Sequence, residues 1–471
     1  MTRAWSTLAV ALTILVPHAA TLAAEPTPPR ELRRFHEIYK ELVETNTTQS
    51  TGSCTVAAEA MARRFRQAGY AESDMQLVVP PDGPTKGNLV LRLKGSGEKR
   101  PLLLVAHLDV VEAKREDWKR DPFKLTEENG VYYGRGTLDD KSHAAAHVSN
   151  MLRYKEEKLV PKRDIVLALT CDEEIVPSKW DGVDYLLKHH RALIDAELAL
   201  NEGGGGMLDK QERPVSYSLQ IGEKVFVTYE LEVTNPGGHS ARPVRDNAIY
   251  HLAEGLARLA KFDFPIQFND TTRAYFERVA KLEGNKDEAA DIRALLAKPT
   301  DTAALERLWT KSPLYNSSVR TTCVATMVDA GHATNALPQR ARATVNCRIL
   351  PGQPAEEVRQ TLVKVLADDK IAVRATNEAL ASPQPPMSPA VIGAVEATAA
   401  EFWPGVPVIP TMLVATTDGR FLNNAGIWTY GVGAFTGVEP SGVHGLDEHV
   451  RIKSLEEFQA FMYRLGKRLA Q

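Results

Sequence analysis

The clearest signal in the chain is an unbroken apolar run, Ile165-Val166-Leu167-Ala168-Leu169-Thr170, closed by Cys171-Asp172-Glu173-Glu174. Aliphatic and β-branched residues without alternation fit a strand covered on both faces of a parallel sheet. Before it, helical periodicity covers 30–44 and 55–67, strand-like runs cover 75–79, 88–93 and 101–111, and an Ala-rich helix is expected over 142–158. After it come a helix near 183–190 and a strand at 197–200. Strands alternating with helices predict an α/β layered unit with a mostly parallel sheet, whose sites form where the carboxyl ends of strands meet.

The period changes after Gly222. Val225, Val227, Tyr229, Leu231 and Val233 alternate with more polar residues, as in a strand covered on one face. Asp246 is placed to cap a helix running to 261. A charged, helical-looking insertion occupies 271–311, then strands at 319–328 and 341–350, a helix at 354–367 and a strand at 371–376. Apart from the insertion, this βαββαβ order is that of a small, ferredoxin-like α+β unit. Ser382-Pro383-Gln384-Pro385-Pro386 reads as a stiff linker back into the first unit. The expected organisation is 1–24 signal segment, 25–222 first part of the catalytic domain, 223–380 inserted lid or dimerisation domain, and 381–471 second part of the catalytic domain.

Composition adds three constraints. With 471 residues the chain exceeds what one hydrophobic core serves, in keeping with two domains. A net charge of -3 leaves no electrostatic footprint for nucleic acid. Arg3, the apolar stretch 8–16 and the small residues of 19–24 look like a secretory signal, too short to span a bilayer. A secreted or periplasmic protein without stable membrane insertion is therefore expected. Four cysteines are too few for a disulfide scaffold. Cys54 and Cys171 have no evident partners; Cys323 and Cys347 lie on runs able to pair, yet buried thiols are the preferred reading for all four.

The acidic triplet ending a buried strand is costly unless something positive meets it, and no Lys or Arg lies within the run. A bound cation, a carboxylate held protonated for acid/base work, or both would answer that cost. Other strand and loop ends offer partners. The run 101–111 carries His107 and Asp109, two apart and so on one side of a strand, where the carboxylate can support the imidazole. Gly134-Arg135-Gly136-Thr137-Leu138-Asp139-Asp140-Lys141 delivers two carboxylates where a helix begins, and Glu202 ends a further strand ahead of Gly203 to Gly206, read as a loose loop. His444, in Ser441-Gly442-Val443-His444-Gly445-Leu446-Asp447-Glu448, is the candidate second histidine. Imidazole and carboxylate without thiolate suit a catalytic zinc, or two zincs bridged by one carboxylate. His143 and His147 share a helix face but lack the Glu of a His-Glu-x-x-His motif, so they read as ordinary helix residues. His189 and His190 read as a solvated helix end.

Assembled, these residues resemble the zinc-dependent exopeptidase and deacylase family of glutamate carboxypeptidase, carboxypeptidase S and aminoacylase, across nearly all of the chain after the signal. The resemblance implies that His107 and His444 each ligate one of two zincs, that Asp139 bridges them, and that Glu174 and Glu202 complete the shells, with cobalt or manganese as alternatives. It implies that Asp109 supports His107, that the Asp139–Asp140 peptide is cis, and that Glu173 is the general base. In the inserted unit, Gly237-Gly238-His239-Ser240 resembles the motif whose His239 stabilises the oxyanion. Asn335 and Arg348 resemble residues that grip a substrate carboxylate. Thr417-Asp418-Gly419-Arg420 also resembles a segment near the substrate. Asn346 departs from an Asp common two positions before that Arg, and the 271–311 insertion is nearer to the carboxypeptidase S and aminoacylase branch. The implied activity is amide hydrolysis of a small peptide or N-acyl amino acid beside a free carboxylate, with a homodimer as one implied assembly. A catalytically inactive binding relative is the non-enzyme alternative.

Overall fold

The structure, a computed structural model, describes residues 29–282 and 286–471. The expected signal segment lies outside the described residues.

Ten strands form the principal sheet. Its middle is parallel: Ile165–Thr170, Leu102–His107, Leu198–Asn201 and Trp428–Gly431 lie side by side in that order. Met75–Val78 and Asn88–Leu93 extend one side antiparallel, and Pro214–Glu223 and Gly205–Leu208 continue the other. The sheet is thus mixed, with the expected parallel order confined largely to its centre. Both faces are covered, which accounts for the absence of alternation. Leu102, Leu104 and Ala106 enter one apolar cluster with the helices Pro29–Glu44, Cys54–Gln67, Lys141–Glu156, Pro389–Phe402 and Ile452–Ala470. Leu103 and Val105 point the other way, against Val183, Leu186 and Leu422.

A second, wholly antiparallel sheet runs Thr322–Ala330, Arg340–Ile349, Val225–Thr234, Ala372–Ala375. The helices Ala248–Leu259 and Ala355–Leu366 cover one face, packing Leu252, Leu259, Val358 and Leu362 on Val227, Leu231 and Val345. The chain therefore makes βαββαβ, with the helical insertion between the second and third elements. That insertion folds as Asp270–Val279, Lys286–Ala297, Thr302–Lys311 and Pro313–Val319, and its core of Phe276, Ile292, Leu305 and Leu308 includes Ile409 of the principal sheet. No helix among the described residues is long and apolar enough to cross a membrane.

Several local expectations give way. Asn247, not Asp246, caps the helix Ala248–Leu259, its side chain accepting from the Ile249 N–H. The strand from 101 stops at His107, so Asp109 reaches its neighbours from a loop. Gly203 to Gly206 is no loose loop. A Cβ on Gly204 would lie 2.3 Å from the Gly431 carbonyl oxygen, and one on Gly206 2.2 Å from the Phe435 ring, so the glycines permit strand contact. The cysteines are not thiols: Cys54 pairs with Cys171 and Cys323 with Cys347. The first bridge joins positions 117 residues apart, a contact that only the packed helix and strand create.

Candidate metal centre

Because the central strands are parallel, their carboxyl ends share one edge of the sheet, and the acidic and imidazole residues emerge there together. His107 is the last residue of its strand, Glu202 follows Leu198–Asn201, and Asp172, Glu173 and Glu174 follow Ile165–Thr170. Asp139 arrives on the loop before the helix Lys141–Glu156, and His444 on the loop before the strand His449–Arg451. His107 Nε2 lies 3.0 Å from Asp139 Oδ1 and 3.8 Å from Glu202 Oε1. His444 Nε2 lies 3.0 Å from Asp139 Oδ2 and 2.9 Å from Glu174 Oε2. Two triads result, His107–Asp139–Glu202 and Asp139–Glu174–His444, each with its ligand atoms within 4.8 Å of one another. One oxygen of Asp139 faces each.

The supports around these side chains were only partly expected. His107 Nδ1–H donates to the Asp109 backbone carbonyl at 3.0 Å, closer than the carboxylate at 3.6 Å. The Asp109 carboxylate instead accepts from the backbone N–H groups of Glu173 and Glu174 (3.3 and 3.1 Å), tying the acidic turn to the His107 strand. The cation sought for the acidic triplet comes from elsewhere in the chain: Lys86 Nζ donates to Asp172 Oδ1 at 2.6 Å. The Cys54–Cys171 bridge fastens the same turn to the helix Cys54–Gln67. Glu448 holds the Asp139 loop, accepting from Arg135 Nη1 (2.8 Å) and from the N–H groups of Gly136, Leu138 and Asp139 (2.9, 2.8 and 3.1 Å). The only hint of its role in the sequence is its place four residues after His444. The Asp139–Asp140 peptide is cis. His143 is buried and pairs with Asp140, behind the ligand loop rather than in it.

The donor set fits divalent metal. With Nδ1–H given to a carbonyl, His107 Nε2 is left facing two carboxylates, which accept hydrogen bonds but cannot donate them. Burial pushes the carboxyls of Glu174 and Glu202 up, and the Asp139 charge adds to that. Burial opposes ionisation of Asp139 too, but its two histidine contacts outweigh this and hold it low. Hydrogen bonds to Asp139 and Glu174 push His444 up to about 10. Carboxylates and imidazoles crowded in a buried edge repel or need protons unless cations sit among them. With two histidines, three carboxylates and no thiolate, the set suits zinc and its first-row neighbours.

Glu173 lies beside these triads and within neither. It is buried, which pushes its carboxyl up to about 8, and Arg420 Nη1 stands 3.9 Å from Oε1. Arg420 is anchored by the Thr417 carbonyl (3.1 Å) and Asp181 (3.3 Å), giving the 417–420 segment a place next to Glu173.

The residues expected over the centre from the second sheet are separated. Arg348, opposite Phe226 in the ladder, lies over that ring and reaches Thr416 Oγ1 at 3.5 Å, close to the 417–420 segment. Burial lowers its pKa, and among the described residues no carboxylate pairs with it. Asn346 donates to Thr228 Oγ1 at 3.3 Å. His239 and Asn335 are exposed together beside the short ladder Gly238–His239 with Ala336–Leu337, beyond the other end of the long strands. The eight residue steps from Arg348 to Arg340 span about 27 Å in an antiparallel strand. A hydrogen-bonded sheet does not fold back over that length, so one chain does not close all three residues over one centre.

The pattern of Peptidase family M20/M25/M40 matches residues 103–468. N-fatty-acyl-amino acid synthase/hydrolase PM20D1 of Mus musculus is 29% identical over 374 residues, covering 77% of this chain and 73% of that protein. Probable carboxypeptidase S-like 2 of Dictyostelium discoideum is 28% identical over 391 residues, covering 81% and 74%. Among solved structures, the M20 family metallo-carboxypeptidase Sso-CP2 from Sulfolobus solfataricus superposes with a TM-score of 0.68 at 21% identity, covering 93% of this chain and 99% of that one. The chain is a member of peptidase family M20/M25/M40, a metal-dependent peptidase or amidohydrolase.

Proposed function

We propose that the protein is an exported di-zinc hydrolase that cleaves the amide bond between an acyl or aminoacyl group and an amino acid with a free carboxylate. The observation that carries this reading is the pair of triads sharing Asp139. His107, Asp139 and Glu202 would hold one ion, and Asp139, Glu174 and His444 the other. Bound zinc supplies Lewis acidity and makes water nucleophilic near neutral pH. Glu173, outside both triads, takes a proton from the attacking water and returns it to the leaving amine. Its burial suits a group that must hold that proton between the two steps. Asp109 fixes the backbone that carries Glu173 and orients His107. Arg348, lacking a carboxylate partner of its own, takes the substrate carboxylate in a bidentate grip.

His239 and Asn335 then serve the centre of a second copy, His239 stabilising the oxyanion and Asn335 assisting at the carboxylate. A homodimer accords with the sheet edge Thr322–Ala330, where Val324, Met327 and Val328 are exposed on a strand with one unpaired side.

Of the two substrate classes, an N-acyl amino acid is favoured over a dipeptide by the likeness to the mouse N-fatty-acyl-amino acid synthase/hydrolase. A cavity of about 490 Å³ mixes Leu208, Phe435, Val438 and Val450 with the charged Asp209, Lys210, Glu212, Glu439 and Arg451 in its lining. The names of the mouse and Dictyostelium relatives include both an N-fatty-acyl-amino acid hydrolase and a carboxypeptidase. The test is turnover of matched N-acyl amino acids and dipeptides by wild type and Glu173→Gln. Wild type should prefer the acyl series, and the variant should lose turnover while keeping its metal. Near-full activity in Glu173→Gln would refute the base; a strong preference for dipeptides would return the reading to an exopeptidase.

A further inference from the structure

Glu173 is tied down at its backbone, where its N–H donates to Asp109 at 3.3 Å. Its side chain still turns about three bonds, and a general base works only within hydrogen-bond reach of the proton it takes. Something has to aim the carboxylate. The cation beside it is Arg420, whose Nη1 lies 3.9 Å from Glu173 Oε1, both side chains being buried.

Arg420 is itself held on three sides. Nη1 donates to the Thr417 carbonyl at 3.1 Å, Nη2 donates to Asp181 Oδ2 at 3.3 Å, and the guanidinium lies over the Phe421 ring at 4.4 Å. Asp181 is fixed in turn, because its other oxygen caps the helix Gly182–His189 by accepting from the Asp184 N–H at 3.1 Å. The Gly182 N–H donates to the Cys171 carbonyl at 2.7 Å, two residues before Glu173. The anchor of the guanidinium and the backbone of the base thus share one frame, which fixes how far apart their head groups stand. Burial opposes the Arg420 charge, and the carboxylates of Asp181, Asp418, Glu173 and Glu223 outweigh it, so the cation persists.

We propose that Arg420 is a positioning residue for Glu173, its Nη1 drawing one carboxylate oxygen towards the 417–420 segment so that the other is presented to the attacking water. Asp181 sets where that guanidinium stands. The inference rests on the assignment of Glu173 as the base. Arg suits the task and Lys does not, because one planar fork reaches Asp181, Thr417 and Glu173 together, whereas an ammonium is a single point of charge.

The test is a kinetic cycle on the zinc-loaded protein with N-octanoyl-leucine and leucyl-leucine, following the better substrate. Arg420→Lys keeps the charge and loses the fork. It should lower kcat about 10- to 100-fold, the size of one charge-assisted hydrogen bond, with KM and zinc content within about twofold of wild type. Placed in Glu173→Gln, which has no base left to aim, the same change should lower the residual rate by less than about twofold. A merely structural role would cost the same factor in both backgrounds. Asp181→Asn retains a cap for the helix and leaves Arg420 in place, so it reads the same effect where Arg420→Lys does not fold; its kcat should fall about 3- to 10-fold at unchanged KM. Unchanged kcat in the folded variants, or equal losses with and without Glu173, would overturn the inference and leave the base standing. Near-full rate in Glu173→Gln alone would overturn both.

Discussion

Glu448 is the sharpest place to perturb the metal centre without touching a ligand. Its two oxygens accept four hydrogen bonds, from Arg135, Gly136, Leu138 and Asp139, in a setting where the Arg135 and Glu448 side chains are 3% and 1% exposed. Glu448→Gln keeps the shape and turns one oxygen into an –NH₂, so two of the four donors then face a donor. At about 1.5–3 kcal/mol for each hydrogen bond to a charged group, the loss is about 3–6 kcal/mol. An independent route agrees: breaking a buried ion pair by neutralising one partner costs about 3–5 kcal/mol. Two of the lost or shifted bonds hold Leu138 and Asp139, so the shared ligand also moves. Disturbing a group that supports a ligand typically lowers metal affinity about 10- to 100-fold. Denaturant unfolding and competition with a chromophoric chelator read the two effects separately. Burial raises the Glu448 carboxyl above its ordinary value of 4.5, so the folded chain takes up that proton before the unfolded one. Wild type gains stability from this group as pH falls towards 4.5, the Gln variant does not, and the gap between them should widen. A variant with unchanged unfolding midpoint and metal affinity within about twofold would refute the assignment of Glu448 as the anchor of the Asp139 loop.

Arg348→Ala should raise KM for substrates with a free carboxylate about 10- to 100-fold and leave kcat nearly unchanged, as expected for loss of a charge-assisted contact made equally in both states. An equal loss on carboxyl-amidated substrates would count against the clamp. Lys224, whose Nζ donates to the Arg320 carbonyl at 2.7 Å, is pushed down to about 7 from 10.5 by burial, with the Arg348 charge adding to the effect. Between those values the unfolded chain binds more protons than the folded one, so wild-type stability should rise with pH from about 7 towards 10.5. Below about 7 both states hold the proton and the full cost of the buried charge remains. Lys224→Met should flatten that rise and be more stable than wild type at pH 6, as measured by thermal melts across pH; parallel profiles for the two proteins would show that Lys224 is not the titrating group.

Much of this was legible in the residues because it depends on local chemistry. The runs Asn88–Leu93 and Ile165–Thr170 form strands with the expected bounds, since continuous apolar residues signal a strand covered on both faces. The alternation from Val225 to Val233 likewise marks a strand with one face on helices. Acidic residues and His107 at strand ends were visible as candidates, and a parallel sheet is what gathers such ends. What stayed hidden depends on contacts between distant positions. The strand Val408–Leu413 holds Pro410 and Trp428–Gly431 is only four residues long, and both acquire their partners only in the sheet. Cys54 finds Cys171, Lys86 finds Asp172 and Arg135 finds Glu448 across 86 residues or more, without a local signal for any of the three. The separation of His239 from Arg348 follows from strand length and register, which a motif does not encode.

The central claim is that Asp139 serves two metal ions at once. Metal content per chain, read by mass spectrometry on purified protein loaded with zinc, tests it most directly when wild type is compared with Asp139→Ala and Glu202→Ala. The account predicts two zincs in wild type, about one in Glu202→Ala, where only the His107 side loses its private carboxylate, and loss at both positions in Asp139→Ala. One zinc in wild type, or an Asp139→Ala protein that still carries two, would contradict it.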